Sequence, residues 1–159
     1  MAMNTLEAVS SVLDKVLGDV MDAAMEVDHA VCGALSVFDP KFNILEARAQ
    51  HYLEEPFRGL LQTVHLDSAS ATARACRFRR QITIPDITKA PYFKPFLADA
   101  KRLGFRSVQA TPILGSEKEC IGVLTTHFRG IHYLAMESRQ ALRYHARVAA
   151  NVIEQAARI

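Results

Sequence analysis

The feature that most constrains this chain is a long amphipathic helical pattern at each end. From Thr5 to Val27, apolar residues recur at alternating steps of three and four: Leu6, Val9, Leu13, Val16, Val20, Ala23 and Val27. This spacing predicts one long helix with an apolar stripe of the coiled-coil type. A second apolar line flanks the first and consists of Val12, Leu17, Met21 and Ala24. The helix can therefore pack on a sheet with one edge and on another helix with the other.

The second pattern predicts a helix from Met136 to Arg158. Its apolar line is Leu142, His145, Ala149, Val152, Ala156 and Ile159. His145 is expected either to be buried and fix the helix register or to reach water at the edge of the stripe. This helix is still in phase where the sequence stops, so we expect an excised module with a C-terminal output domain outside this chain. The two stripes together predict a homodimer through the terminal helices.

Between these helices the pattern changes to short strands and turns. Six strands are predicted, at 30–38, 43–50, 64–66, 81–87, 107–114 and 120–128. Helical segments are predicted at 54–61, 68–77 and 92–103, with Asp67 or Ser68 as the cap of the second and Gly104 just past the end of the third. This order is typical of an α+β fold, an antiparallel sheet sandwiched by helices.

Length, charge and cysteine usage exclude several classes of protein. The 159 residues predict a single domain. Nineteen Lys and Arg against seventeen Asp and Glu give a net charge of +2, which argues against nucleic acid as a partner. The apolar runs are shorter than the roughly 18 residues of a membrane span, so we expect no membrane partner and a cytoplasmic location. Cys32, Cys76 and Cys120 form no recognised pattern and are expected to be reduced thiols.

Four segments, in this order and spacing, resemble those of a GAF domain. They are Gly33 to Phe38, Ile82 to Ile87, Gly104 to Ile113 and Ile121 to Leu124. The chain most resembles the sensory GAF modules of bacterial two-component histidine kinases, over about residues 5–159. The resemblance implies a six-stranded antiparallel sheet with a small-molecule pocket on one face. It also implies that the terminal helices lie on the other face, where they often dimerise.

Polar residues on the last two strands are the first candidates for ligand contacts. One face of the first of these strands offers Ser107, Gln109 and Thr111, and one parity of the second ends in Thr125 and His127. We expect these five residues to form a polar strip that lines a cavity. The alternative is a sheet face in contact with solvent.

The remaining candidates are Phe38, Asp86, Tyr92 and Phe96. Asp86 matches an Asp that is frequent in GAF domains and would either accept a hydrogen bond from a ligand or cap a turn. Tyr92 and Phe96, with Phe93, occupy a segment that the resemblance makes a lid over the pocket. These aromatic side chains would either stack on a planar ligand or pack in the core.

Other chemistries lack the residues they need. Four arginines around Cys76, at 74, 77, 79 and 80, indicate a solvated helix end rather than an anion site. His127 and His132 have no third ligand at a recognised spacing, so no metal is expected. The resemblance also argues against relatives that bind bilins or reduce methionine sulfoxide, because no cysteine lies between Asp86 and Gly104. The signature of cyclic-nucleotide-binding relatives is absent.

The sequence therefore predicts a non-enzymatic sensory domain. It would bind an unidentified small molecule, with no cofactor assigned, and relay occupancy of the pocket through its dimerising helices to the output domain. The most specific form of this prediction is the input module of a histidine kinase. Two alternatives stay open: a purely structural dimerisation domain without ligand, and a haem or redox sensor that uses Cys or His.

Overall fold

A computed structural model describes residues 4–158 of the chain. The α-helices are α1 Thr5–Met25, α2 Phe57–Gln62, α3 Ala71–Phe78, α4 Leu97–Leu103 and α5 Met136–Ala156. The strands are β1 Cys32–Asp39, β2 Ile44–His51, β3 Thr63–His65, β4 Ile82–Ile84, β5 Ser107–Leu114 and β6 Cys120–Phe128. Short 3-10 helices cover Val27–His29, Ile87–Lys89 and Pro91–Phe96.

The six strands form one sheet in the order β3-β2-β1-β6-β5-β4, and every neighbouring pair is antiparallel. The four strands of eight or nine residues, β2, β1, β6 and β5, lie in the middle, and strands of three residues close both edges. Helices cover both faces of the sheet, which explains why its central strands are apolar on both sides. This architecture confirms the predicted α+β fold.

Each face of the sheet has its own hydrophobic core. On one face, α2, α3, α4 and the 3-10 segment at 91–96 bury an aromatic and alanine-rich core against Ala34, Leu45, Val108 and Val123. On the other face, α1 and α5 bury Leu17, Met21, Leu142 and Ala149 against Leu35, Ile113, Leu124 and Phe128. The sheet thus separates the lid region from the terminal helices.

The first helix begins with a capping box. The Asn4 side chain accepts a hydrogen bond from the Glu7 backbone N–H at 2.8 Å, and the Glu7 carboxylate accepts one from the Asn4 N–H at 3.1 Å. The helix ends at Met25, two residues before the predicted end, because Asp28 and His29 have φ of 54° and 55° and turn the chain toward β1.

The helix predicted from Tyr92 to Leu103 is divided in two, and this boundary was wrong. Pro95 lacks an N–H and sits in a 3-10 helix, and the α-helix starts only at Leu97. Gly104 follows it with φ 89°, as predicted. The strand predicted at 81–87 is shortened to Ile82–Ile84 because Pro85 and Asp86 begin a turn. The cap of α3 is Ser70, and neither predicted residue serves.

Substituting alanine for each of two glycines tests this packing, because the two changes should shift the free energy of unfolding in opposite directions. A Cβ on Gly122 would overlap the Ser36 carbonyl oxygen on β1, whereas a Cβ on Gly18 in α1 would meet no atom within 4 Å. We expect Gly122→Ala to lower the free energy of unfolding by about 1–3 kcal/mol. Gly18→Ala should raise it by about 0.5–1 kcal/mol, because alanine loses less conformational entropy in a helix. Urea denaturation of both variants measures this, and an unchanged midpoint for Gly122→Ala would contradict the β1–β6 register.

Candidate functional site

A small cavity lies between the sheet and the lid-side helices. Its volume is about 20 Å³, and its walls come from α2, α3, the 3-10 segment, β5 and β6. The lining residues are Phe57, Leu60, Leu61, Ser70, Ala71, Thr72, Tyr92, Phe93, Val108, Thr125 and His127. A single water needs about 10–15 Å³ measured in this way, so the cavity has room for one water and no larger molecule.

One wall of the cavity carries a pair of hydroxyl groups. The Thr72 and Thr125 Oγ1 atoms lie 2.8 Å apart, one on α3 and the other on β6, and both side chains are buried. Each hydroxyl therefore satisfies the other in surroundings that are otherwise apolar. Because a hydroxyl both donates and accepts, this pair is able to offer either group to a ligand.

His127 lies on the same wall and is fully buried. Its Nδ1 is 3.3 Å from the Cys32 carbonyl oxygen, which accepts only, so Nδ1 carries the proton and Nε2 is the acceptor nitrogen. The ring packs on Phe105 with centroids 4.6 Å apart. Burial lowers the pKa of His127 to about 4, against a smaller opposing effect of the Cys32 carbonyl, so the imidazole is neutral at pH 7.

Aromatic rings fill most of the space under the lid. Phe57 on α2 packs against Phe96 at 5.7 Å and Phe105 at 5.3 Å between centroids, and Tyr92 packs against Phe93 at 5.4 Å. Tyr92 lines the cavity, whereas Phe96 packs behind it. Burial raises the pKa of the Tyr92 phenol. In this conformation the predicted lid aromatics pack as core residues, the second of the two roles expected for them.

The prediction of one polar strip on β5 and β6 was wrong. Ala110 pairs with Thr125 and Val108 pairs with His127, and directly paired residues share a face of the sheet. Ser107, Gln109 and Thr111 therefore point to the opposite face, toward α5, and are separated from Thr125 and His127 by the sheet. The alternative of a solvent-facing strip was wrong as well, because all five side chains are buried.

The three residues on the α5 side hold structural hydrogen bonds. Gln109 Oε1 accepts from the Thr83 hydroxyl at 2.6 Å, and the Thr111 hydroxyl accepts from Gln81 Nε2 at 3.1 Å. The Ser107 hydroxyl donates to the Phe128 carbonyl at 3.4 Å. Within residues 4–158, Gln109 Nε2 is buried without a hydrogen-bond partner. The Gln109 and Thr111 contacts join β5 to β4 and the residue before it, and the Ser107 contact joins β5 to β6. All of them lie outside the cavity.

Asp86 caps a turn, the second of its two predicted roles. Its Oδ1 accepts from the Thr88 N–H at 3.0 Å and the Thr88 hydroxyl at 2.6 Å, and the Arg106 guanidinium bonds both oxygens at 3.1 and 3.2 Å. The Arg106 and Thr88 hydrogen bonds hold the pKa of Asp86 well below its usual range. Its carboxylate does not line the cavity. Phe38 also packs against the lid-side core without lining the cavity.

Sequence reasoning missed Thr72 and Phe57, which complete the site. The available signal was the alternation of small residues at Ala71, Ala73 and Ala75, which lets α3 approach the sheet closely. That approach brings the Thr72 hydroxyl to Thr125. Phe57 had no comparable signal, because α2 is only six residues long and its register on β2 depends on tertiary packing.

No cysteine lines the cavity, although Cys32 on β1 pairs directly with His127 on β6. Burial raises the pKa of Cys32 to about 12. Cys76 on α3 lies beside Cys120, and that neighbour together with burial raises the pKa of the Cys76 thiol. Neither residue lines the cavity. Among residues 4–158, no three His, Cys, Asp or Glu side chains are grouped so as to hold a metal ion. None of the helices described there is long and apolar enough to cross a membrane.

Comparison with known proteins identifies the class. A family model described as a GAF domain matches residues 10–154, and the chain therefore belongs to the GAF domain family. GAF domains are generally regulatory modules. A search of curated proteins finds no match.

Solved structures of low sequence identity share the fold. The GAF domain/HD domain protein from Geobacter sulfurreducens is 16% identical, with 98% of this chain and 100% of that chain covered and a TM-score of 0.77. A domain of a protein described as a two-component sensor histidine kinase from Sinorhizobium meliloti 1021 is 17% identical, with coverage of 89% and 90% and a TM-score of 0.70. The type II free methionine-R-sulfoxide reductase of Thermoplasma acidophilum is 13% identical, with coverage of 92% and 96% and a TM-score of 0.75.

The neutral state of His127 predicts acid sensitivity. The unfolded chain binds a proton on this residue near pH 6.5, whereas the folded chain binds it only near pH 4. Stability from this source is therefore intact above pH 6.5, falls as the pH drops, and is reduced by up to about 3 kcal/mol below pH 4. The stabilisation from Asp86, whose pKa is lowered, is lost chiefly as the pH falls below about 4, under this window. His145, whose pKa burial also lowers, is present in every variant.

Urea denaturation between pH 4 and 7 measures the effect. His127→Gln should flatten the rise of stability with pH, and the exposed His65→Gln should leave it as in the wild type. Equal slopes for His127→Gln and wild type would show that His127 does not titrate as this geometry requires.

Proposed function

We propose that this GAF domain is a non-enzymatic, small-molecule-sensing input module of a bacterial signalling protein, of the kind found in histidine kinases. It acts in the cytoplasm as a homodimer and passes its signal through α1 and α5 to a C-terminal output domain. The histidine kinase neighbour supports the setting through the shared fold. Its ligand is unidentified, and the proposal assigns no cofactor.

The observation that carries this proposal is an apolar groove between the terminal helices. The groove has a volume of about 360 Å³ and is lined by Thr5, Ala8, Val9, Val12, Leu13, Val16, Val152, Gln155 and Ala156. Val12 is 61% exposed and Leu6, earlier on the same helix, is 76% exposed. Leu6 of the stripe is thus exposed, Val9, Leu13 and Val16 are half-buried, and Val12 of the flanking line is exposed beside them. Further along the helix, Leu17, Met21 and Ala24 pack on the sheet. A second copy has the same apolar stripe, and two copies related by a two-fold axis would bury both stripes against each other.

Sensing requires the lid to move. Small-molecule sites have volumes of roughly 300–1,000 Å³, whereas the cavity at Thr125 and His127 has room for only one water. The closed form is therefore the ligand-free state, and a ligand selects an open state in which α2 and the 3-10 segment move off the sheet. Once open, the Thr72–Thr125 hydroxyls and His127 Nε2 offer neutral hydrogen bonds in aromatic surroundings, which suits an uncharged planar molecule.

A second candidate function is a dimerisation scaffold without ligand. The aromatic packing around Phe57 favours it, because the side chains of the domain already occupy the cavity. The two candidates share the dimer and differ only in whether the lid opens.

Assembly through the groove is tested by a charge placed on its rim. Val12→Glu should dissociate the dimer, because burying an unpaired carboxylate in an apolar interface is unfavourable. Ser11→Glu changes the neighbouring exposed residue, which does not line the groove, and should leave the dimer intact. Sedimentation equilibrium of both variants gives the answer. A wild-type monomer at high concentration, or a dimer unaffected by Val12→Glu, would contradict the proposed interface.

Ligand binding is tested by native mass spectrometry of the purified chain, followed by thermal shift with a panel of uncharged planar metabolites. The double variant Thr72→Val/Thr125→Val is the matched probe, because it removes both hydroxyls together and leaves neither unpaired, so its stability should stay within about 1 kcal/mol of wild type. We expect a bound mass or a stabilising compound in the wild type and at least a tenfold weaker affinity in the double variant. If no mass and no compound is found, the scaffold function replaces the sensory one.

A further inference from the structure

A second, much larger cleft lies on the α5 side of the sheet, away from the aromatic lid. It has a volume of about 430 Å³ and opens between the α3–β4 turn, the end of β5 and the middle of α5. Its lining residues are Arg79, Arg80, Gln81, Pro112, Leu114, Gly115, Arg143, Ala146 and Arg147. Four of these nine residues are arginines, and they come from two separate elements of the fold.

The four guanidinium groups have no carboxylate partner in the part of the chain that the structure describes. Its Arg–carboxylate pairs within 4.0 Å are formed by Arg48, Arg102 and Arg106 instead. Two acidic side chains at this end, Glu119 and Glu154, accept hydrogen bonds from the β5–β6 turn, and neither lines the cleft. The domain carries a net charge of only +2, so this cleft concentrates positive charge that is nearly balanced elsewhere.

A solvated helix end does not account for this arrangement. Arg79 and Arg80 follow the C-terminus of α3, where a cation complements the helix dipole. Arg143 and Arg147, however, lie in the middle of α5, one turn apart, where like charges destabilise a helix. The fold then places the α5 pair across the cleft from Arg79 and Arg80, which adds repulsion between the two walls. An anion between the walls removes both costs.

The arginines are also partly held in place. The Arg80 guanidinium lies 5.4 Å from the centroid of the Phe78 ring, and that of Arg147 lies 6.0 Å from the Tyr144 ring. Gln81 Nε2 donates to the Thr111 hydroxyl at 3.1 Å and to the Arg139 carbonyl at 3.0 Å, which ties the start of β4 to α5 and fixes the distance between the walls. The spacing of the walls and the positions of two of the four arginines are thus set by contacts within the domain.

The shape and chemistry of the cleft define the class of ligand. A guanidinium fork matches a phosphate with two parallel hydrogen bonds, and four such groups suit an anion with several charges. The floor is apolar at Pro112, Leu114 and Ala146, and the volume falls in the range of small-molecule sites. We propose that this cleft binds a small organic phosphate with at least two phosphate groups and an apolar or aromatic part. The proposal is independent of the proposed function, since it uses the opposite face of the sheet.

The test is isothermal titration of the full chain at 150 mM salt with three probes: ATP, inorganic pyrophosphate and adenosine. We expect ATP to bind most tightly, pyrophosphate to bind at least threefold more weakly, and adenosine not to bind. Arg143→Gln/Arg147→Gln should weaken ATP binding at least tenfold. Both residues are exposed, so the fold should survive, and circular dichroism and thermal melting check this.

The matched control is Arg58→Gln/Arg129→Gln, which removes the same charge from exposed arginines outside the cleft and should change ATP affinity less than twofold. Equal weakening in both double variants would overturn the proposal, because the attraction would then come from net charge alone. So would the absence of ATP binding at millimolar concentration, or adenosine binding as tightly as ATP. A single-stranded oligonucleotide that binds more tightly in proportion to its length would also overturn it in favour of a polyelectrolyte surface.

Discussion

The pairing of β6 with both β1 and β5 is the constraint on which the rest of the structure depends. Each strand has two faces, and the register of its neighbours decides which set of side chains looks toward the lid and which toward α1 and α5. With Ala110 opposite Thr125, the Thr125 and His127 side chains enter the lid-side core, and Leu124 and Phe128 support the terminal helices. Moving this register by one residue would place His127 against α5 and leave Thr72 without its partner.

The long elements could be predicted from the sequence because their patterns are local. The apolar stripes of α1 and α5 and the two hairpins depend on spacing within one segment, and their bounds agree with the structure to within two residues. The polar strip could not be predicted, because the face that Gln109 occupies depends on how β5 pairs with β6 and not on the pattern of either strand alone. The start of the helix predicted at Tyr92 was wrong for a different reason. Pro95 is compatible with a 3-10 turn, and tertiary packing decides where that turn ends.

The lid-side core sets the conditions that a ligand would have to meet to open the lid. Phe57, Phe93 and Phe105 form one cluster of rings, and opening the lid would expose apolar area that each ring now buries. A ligand would have to bury that apolar area again. It would also have to form hydrogen bonds with the Thr72 and Thr125 hydroxyls, which now bond to each other. Only a molecule that is both apolar and a hydrogen-bonding partner meets the two conditions, so a closed lid is itself a filter for ligand chemistry.

The α5 helix links the proposed dimer groove and the proposed phosphate cleft. With about 100° per residue, its buried stripe of Leu142, Ala146 and Ala149 lies between two flanks. Arg143 and Arg147 lie on one flank, and Val152 and Ala156 of the apolar groove lie on the other. Because the helix is continuous over 21 residues, it cannot turn at one flank without turning at the other. A rotation that brought Val152 closer to a second copy would also move both arginines relative to Arg79 and Arg80. Phosphate binding in the proposed cleft and assembly at the proposed groove would therefore be coupled through the orientation of a single helix.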